Sequence, residues 1–296
     1  MRRPVRPGRQ GRTRPASQGR VRVSGRFVAA CLQVNAGNDL GRNIEAVSTL
    51  ARAAKDRGAD LVLMPENVSM MEWGRGAIVD KSMPEDEHWA LAAFRGLAQE
   101  LNIWLHCGTL AVRLADSMVA NRTYVLRPDG DIAAFYDKIH MFDVDLGGGE
   151  SYRESSTFRP GDRAVLVRTP WGGLGLSVCY DLRFPHLFRA LAQGGASFLA
   201  VPSAFTRVTG QAHWHVLLRA RAIETGSYVF APAQTGTHVR GRQTFGHALI
   251  VDPWGEVLAD AGEEPGLILA EIDPAKVMEA RSKIPSLTHD RPFVAP

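Results

Sequence analysis

Cysteine is scarce in this sequence. Cys31, Cys107 and Cys179 are the whole complement of 296 residues, widely spaced and with no C-x-x-C pair. An odd, dispersed set of three excludes a disulfide framework and a cysteine-based zinc site, and it fits a reducing compartment. Long apolar runs are also lacking. None approaches the ~18 residues of a membrane span, and no apolar core of a secretory signal follows the start. No membrane partner is expected, and the expected location is cytoplasmic. Acidic residues are missing from residues 1–26, which hold nine of the 35 basic residues, all arginine. That leaves 26 basic against 31 acidic groups in residues 27–296, so the excess positive charge belongs to the first segment and the body is mildly acidic. An acidic body gives no nucleic-acid signature, and the arginine segment lacks the interleaved aromatics of a single-strand binder. The segment reads as a disordered extension. Its arginines partly resemble a mitochondrial presequence, but Pro4, Pro7 and Pro15 interrupt any amphipathic helix there.

What is present is the composition of a globular α/β chain, with 45% hydrophobic and 22% charged residues. No proline- or serine-rich linker divides residues 27–296, so they are read as one domain. Val28–Val34 and Leu61–Met64 read as buried strands. Asn43–Arg57 between them carries Ile44, Val47, Leu50, Ala51 and Ala54 at helical spacing, with Gly58 past its end. Glu85–Leu101 reads as a second helix and Ile103–Leu110 as a strand. Asn121–Leu126 and Ile132–Tyr136 flank Pro128-Asp129-Gly130 as a hairpin. Ile139–Arg163 is a long polar stretch with three consecutive glycines, a length that usually signals function. Ala164–Thr169 and Leu174–Cys179 read as strands and Pro185–Gln193 as a helix. Phe198–Val201 is a further strand. Gln211–Thr225 is a helix with Val216, Leu217, Ala220 and Ile223 facing inward. Tyr228–Ala233, Ala248–Val251, Val257–Ala259 and Leu267–Ile272 read as strands, and Pro274–Lys283 closes as a short helix. Alternating strands and helices with added hairpins predict mixed sheets covered by helices.

Three ionisable residues follow predicted strands. Glu66 comes after Leu61–Pro65, Lys138 after Ala133–Asp137, and Cys179 ends Gly173–Val178. Strand ends are where open α/β sheets gather catalytic groups. Converged, a carboxylate could take the proton of a thiol that is otherwise mostly protonated at neutral pH, and an ammonium could stabilise developing negative charge. Taken one at a time, each also has an ordinary reading: a buried small cysteine, a turn-capping glutamate, a surface lysine. Spacing alone does not show convergence.

The segments Leu63-Met64-Pro65-Glu66-Asn67, Tyr136-Asp137-Lys138-Ile139-His140-Met141-Phe142-Asp143 and Ser177-Val178-Cys179-Tyr180-Asp181-Leu182-Arg183-Phe184-Pro185 resemble, in order, the three catalytic motifs of the nitrilase superfamily, the carbon–nitrogen hydrolases. The resemblance runs from about Phe27 to Pro292. Pro202–Phe205, His213–Glu224 and Gly246–Gly255 are further similar to its deaminated-glutathione amidase and omega-amidase subgroup. It implies an αββα four-layer sandwich that pairs through its helices into a homodimer or larger assembly. It also implies Cys179 as nucleophile, Glu66 as general base, and Lys138 with the Tyr180 N–H as oxyanion stabilisers. Glu154 matches the second glutamate that many members place beside the lysine, and a solvated loop carboxylate is its alternative. The implied reaction is hydrolysis of a small carboxylate-bearing amide through a thioester, with no metal, nucleotide or redox cofactor.

Arg183 could grip a substrate carboxylate with its planar fork, or form an ion pair with Asp181. His213 and His215 sit two apart on a helix, so they do not share a face for a metal. Cys31 and Cys107 fall inside apolar strands and read as inert. Asn67-Val68-Ser69 and Asn121-Arg122-Thr123 match glycosylation sequons, which carry little without secretion. A nitrilase or an N-carbamoyl hydrolase is the alternative enzyme, and a catalytically idle binding protein the alternative class. Intact Glu66, Lys138 and Cys179 argue against the last.

Overall fold

A computed structural model describes residues 25–115, 118–147 and 149–296. Most of the arginine-rich segment, residues 1–24, lies outside the described residues. The first half of the chain runs β1 (Phe27–Val34), α1 (Leu40–Asp56), β2 (Leu61–Leu63), α2 (Arg75–Lys81), α3 (Trp89–Leu101), β3 (Trp104–His106), β4 (Leu110–Arg113), β5 (Val119–Leu126), β6 (Ile132–Asp137), β7 (Asp143–Asp145) and β8 (Ser151–Arg153). The second half runs β9 (Leu166–Thr169), β10 (Gly172–Leu176), α4 (Pro185–Gln193), β11 (Ala196–Ala200), α5 (Arg207–Thr225), β12 (Tyr228–Ala231), β13 (Ala233–Thr237), β14 (Gln243–Phe245), β15 (Leu249–Val251), β16 (Val257–Asp260), β17 (Gly266–Ile272) and α6 (Ala275–Lys283).

β1 is apolar on both faces, and each face feeds a different core. Ala30, Leu32 and Val34 pack with Val47 and Ala51 of α1 and Phe94 and Leu97 of α3. Ala29 and Cys31 pack with Leu174, Leu176, Phe198 and Phe230 of the opposite sheet, which on its far side meets Trp214 and Leu218 of α5. Period-2 alternation along strands buried on both sides therefore makes four layers: α1 and α3, a nine-stranded sheet, a six-stranded sheet, then α4 and α5. This is the αββα sandwich that the motifs imply.

The nine-stranded sheet has β2 on one side of β1. On the other side β17 pairs along Phe27–Gln33 and β13 takes the end at Gln33–Val34. β1, β2 and β3 are parallel. β6 is antiparallel to β5, and β5 to β3, so β6 runs with β3. In the six-stranded sheet β10, β11 and β12 are parallel. Glu66 lies beyond the carboxyl end of β2, Lys138 beyond that of β6 and Cys179 beyond that of β10, so both sheets contribute to one region.

Several local expectations change. Helix does not begin at Glu85: Glu85–Glu87 is a single tight turn, and α3 starts after His88. The strand expected over Ile103–Leu110 breaks at Gly108, whose φ of +59 no continuous strand permits. The long stretch after Ile139 contains the β7–β8 hairpin. On α5 the inward face is Trp214, Leu218, Arg221, Ala222 and Thr225, whereas Val216 and Ile223 are 68% and 53% exposed. Leu217 packs against the core as expected, but the helix carries apolar residues on two sides, and Val216 and Ile223 belong to the outer one. Among the described residues no helix is long and apolar enough to cross a membrane.

Candidate active site

Glu66 is set by a backbone clamp. Gly108 brings its chain so close to Pro65 that an added Cβ would sit 1.9 Å from the Pro65 carbonyl oxygen. The Thr109 hydroxyl accepts from the Asn67 N–H at 2.8 Å, and Gln234 Nε2 donates to the Glu66 carbonyl at 2.9 Å. The side chain is thereby aimed inward, where its Oε2 accepts from the Ala204 N–H at 2.9 Å.

Lys138 leaves the end of β6 and is 2% exposed. Its Nζ donates to Glu66 Oε1 at 3.0 Å and to both oxygens of Glu154, at 3.0 and 2.8 Å. Glu154 arrives from the turn after β8, and its Oε2 also accepts from the Phe142 N–H at 2.6 Å. It is a built part of the site and not a solvated loop carboxylate.

Cys179 lies on a tight turn after β10 with φ +48, held by its N–H on the Pro202 carbonyl at 3.0 Å. A non-glycine residue in that conformation persists only where its surroundings enforce it. Asp181, fully buried, supplies the enforcement. It accepts from the Val178 N–H at 2.8 Å, the Tyr136 hydroxyl at 2.7 Å and the His140 N–H at 3.0 Å. Asp181 thus has no share in Arg183, which settles that alternative.

Burial works to raise the Glu66 carboxyl, but Lys138, aided by a hydrogen bond from Cys179 and by Arg242, holds it below the usual carboxylate range. Burial works to lower Lys138, and Glu154 and Glu66 outweigh it, so the ammonium persists. Burial and the Glu66 anion push the Cys179 thiol well up, against the pull of Lys138. The resting arrangement is therefore thiol, carboxylate and ammonium, with the base already in hydrogen-bond contact with the proton it would take.

Asn121 escaped sequence reasoning except as a sequon. It is 2% exposed on β5, and its Nδ2 donates to Glu66 Oε1 at 2.9 Å and to Glu154 Oε1 at 3.1 Å. No sequence signal set it apart, since Arg122 and Thr123 beside it on β5 are polar as well. Arg242 was missed as well. Its Nη2 donates to the Ala204 carbonyl at 2.9 Å, and its guanidinium lies 5.3 Å from the Tyr152 ring centre.

These groups form the floor of a cleft of about 320 Å³, the scale of a small-molecule site. Phe142, Tyr152 and Phe205 wall it, and Tyr180, Arg75, Arg183 and Arg242 also line it. Arg183 lies 5.4 Å from the Phe205 ring centre and has His213 Nδ1 at 3.3 Å from its Nη1. Among the described residues no carboxylate pairs with Arg183 or Arg242. The described residues bring one set of histidine and carboxylate groups to metal-ligating distance, and it forms no part of this cleft. Cys31 and Cys107 are fully buried in the two cores, and burial pushes both thiols up.

A thiol, a carboxylate and an ammonium converging where two stacked sheets present their strand ends make a hydrolytic enzyme site. The chain belongs to the carbon–nitrogen hydrolase family, whose sequence model matches residues 28–282. It is 41% identical over 277 residues to a deaminated glutathione amidase of Synechocystis, covering 90% of this chain and 99% of the relative. The crystal structure of the Caenorhabditis elegans NitFhit protein is similar at a TM-score of 0.86 and 38% identity, over 91% of this chain and 66% of that one. An amidase from Nesterenkonia sp. AN1, with acrylamide added at its active-site cysteine, is similar at a TM-score of 0.74 and 25% identity, over 87% of this chain and 98% of that one. Family and relatives together make the protein a carbon–nitrogen hydrolase of the amidase type.

Proposed function

We propose that the protein hydrolyses a small carboxylate-bearing amide, of the deaminated-glutathione or 2-oxo-acid omega-amide class, through a thioester on Cys179. The observation that carries this reading is the convergence of Cys179, Glu66 and Lys138 on one cleft, with Lys138 Nζ 3.0 Å from Glu66 Oε1. Glu66 takes the thiol proton as sulfur attacks the amide carbon. The oxyanion is held by Lys138 and the Tyr180 N–H. Glu66 returns the proton to nitrogen, the C–N bond breaks, and ammonia or an amine leaves. A water that Glu66 deprotonates then attacks the thioester, and the proton passes to the departing sulfur. Glu154 and Asn121 fix the lysine and the base. No metal or organic cofactor enters any step.

Arg183, which lines the cleft and has no carboxylate partner among the described residues, is the candidate clamp for a substrate carboxylate distant from the scissile bond. The relatives' amidase names and the guanidinium groups around an otherwise aromatic wall support that class. The chain also pairs into a homodimer in this reading. Val216 and Ile223 on the outer side of α5, with exposed Trp254 beyond, provide the apolar surface for it.

Product release from a panel of amides and nitriles tests the proposal. Cys179→Ala should lose activity by at least about a thousandfold while keeping its melting temperature. Amides bearing the distal carboxylate should outrun neutral analogues, since an unpaired buried charge costs on the order of 2–5 kcal/mol. A Cys179→Ala protein of near-parent rate removes the mechanism, and aliphatic nitriles as the best substrates remove the substrate class.

A further inference from the structure

Outside the cleft, α5 and the β15–β16 hairpin bring together His215 of α5, His247 just before β15, and Asp260 at the end of β16. His215 Nε2 lies 3.0 Å from Asp260 Oδ2. His247 Nδ1 lies 2.9 and 3.1 Å from the two Asp260 oxygens. One ligating atom from each residue falls within 4.8 Å of the others. We propose that these residues form a binding site for one divalent cation of the zinc class.

The donor set is two imidazole nitrogens and a carboxylate oxygen, which suits zinc and its late first-row neighbours and suits magnesium or calcium poorly. Metal–ligand bonds of about 2.0–2.1 Å at tetrahedral angles place neighbouring ligand atoms about 3.3–3.4 Å apart. The present nitrogen–oxygen separations need open by only a few tenths of an ångström. Side-chain exposures of 37%, 22% and 33% leave the outer side open for a water as fourth ligand.

The ligands are positioned by their own supports. His247 has φ +53, and its backbone is fixed on both sides: its N–H donates to the Gly262 carbonyl at 2.7 Å, and its carbonyl accepts from Trp214 Nε1 at 2.7 Å. Its ring stacks on Phe245, 4.4 Å between centroids, and the His215 ring meets Phe245 edge-on at 6.0 Å. The Gly262 N–H donates to Asp260 Oδ1 at 2.8 Å, the outer hydrogen bond that orients a ligating carboxylate. A bound cation would fasten α5 to the β15–β16 hairpin. His213, two residues from His215, points elsewhere, beside Arg183.

The test uses the full-length, untagged chain carrying Cys179→Ala, so that the cleft thiol does not compete for metal, stripped with chelator and then titrated with cobalt(II). Expected is saturable one-to-one binding with a tetrahedral cobalt absorption band that zinc displaces. His215→Ala and Asp260→Asn, each added separately, should weaken binding at least tenfold. Zinc should raise the melting temperature of the parent but not of these variants. Asp260→Asn is close to isosteric, so a folding defect in His215→Ala does not decide the matter. Absence of saturable binding, or binding that both variants leave unchanged, overturns the site. None of these readouts depends on the amidase reading.

Discussion

Replacing Lys138 with methionine should leave two carboxylates facing each other without a cation. Lys138 Nζ makes contacts at 2.8–3.0 Å with Glu66 and Glu154 from a side chain 2% exposed. At an effective dielectric near 20, each such contact is worth on the order of 5 kcal/mol before desolvation is subtracted. Breaking a buried cluster by removing one partner costs about 3–5 kcal/mol net. Lys138→Met should therefore lose about 3–5 kcal/mol in urea unfolding near pH 8. The loss should shrink toward pH 5. Without the ammonium, mutual repulsion raises the folded carboxyl pKa above its unfolded value, so protonation at lower pH relieves the folded state. Adding Glu154→Gln removes one of the two charges and should recover at least about 1 kcal/mol, while in the proposed mechanism the double variant, lacking the ammonium, stays slower than the parent by roughly a hundredfold or more. A Lys138→Met protein within about 1 kcal/mol of the parent, or a double variant no more stable than the single, would refute this account of the charge cluster.

Gly108→Ala forces a Cβ to 1.9 Å from the Pro65 carbonyl at a φ of +59. It should cost at least about 2 kcal/mol and lower kcat by moving Glu66, and an unchanged melting curve would contradict the clamp. Asn121→Ala removes one donor shared by Glu66 and Glu154. It should cut kcat/KM roughly tenfold to a hundredfold and shift its acid limb upward, and a pH profile identical to the parent's would show the residue to be structural only. His106 is fully buried, and burial pushes its ring down to about 4 from 6.5. The unfolded chain then binds more protons between those values. Stability should be full above pH 6.5 and fall by about 3 kcal/mol as pH drops toward 4. His106→Gln should flatten that slope in urea midpoints measured at pH 7 and pH 5, and an equal slope in the variant would exclude His106 as its source.

The sequence made Glu66, Lys138 and Cys179 visible because each sits in a contiguous motif at a strand end. The four layers came with the resemblance those motifs carry, because the order of strands and helices by itself predicted only mixed sheets covered by helices. What periodicity could not choose was a side. α5 carries apolar residues on two faces, and only Trp214 and Leu218 meeting the sheet decide which one is inward. Asn121 was hidden because its role depends on Glu66 and Glu154 arriving from other segments. Glu154 was undecided because a carboxylate in a polar stretch looks the same whether it meets water or Lys138. The break at Gly108 depends on Pro65 lying across from it, a tertiary contact that no local pattern contains.

The pairing of β1 with β17 joins the first strand of the fold to the last. During synthesis at ~5–20 residues per second, an interval on the order of tens of seconds separates the emergence of Phe27–Val34 from that of its partner Gly266–Ile272. Throughout that time an apolar strand keeps an open edge, the template on which nascent chains stick to one another. Soluble yield in a cell should therefore depend on how well chaperones cover this one edge, and slowing translation should lower it more than the stability of the finished protein suggests.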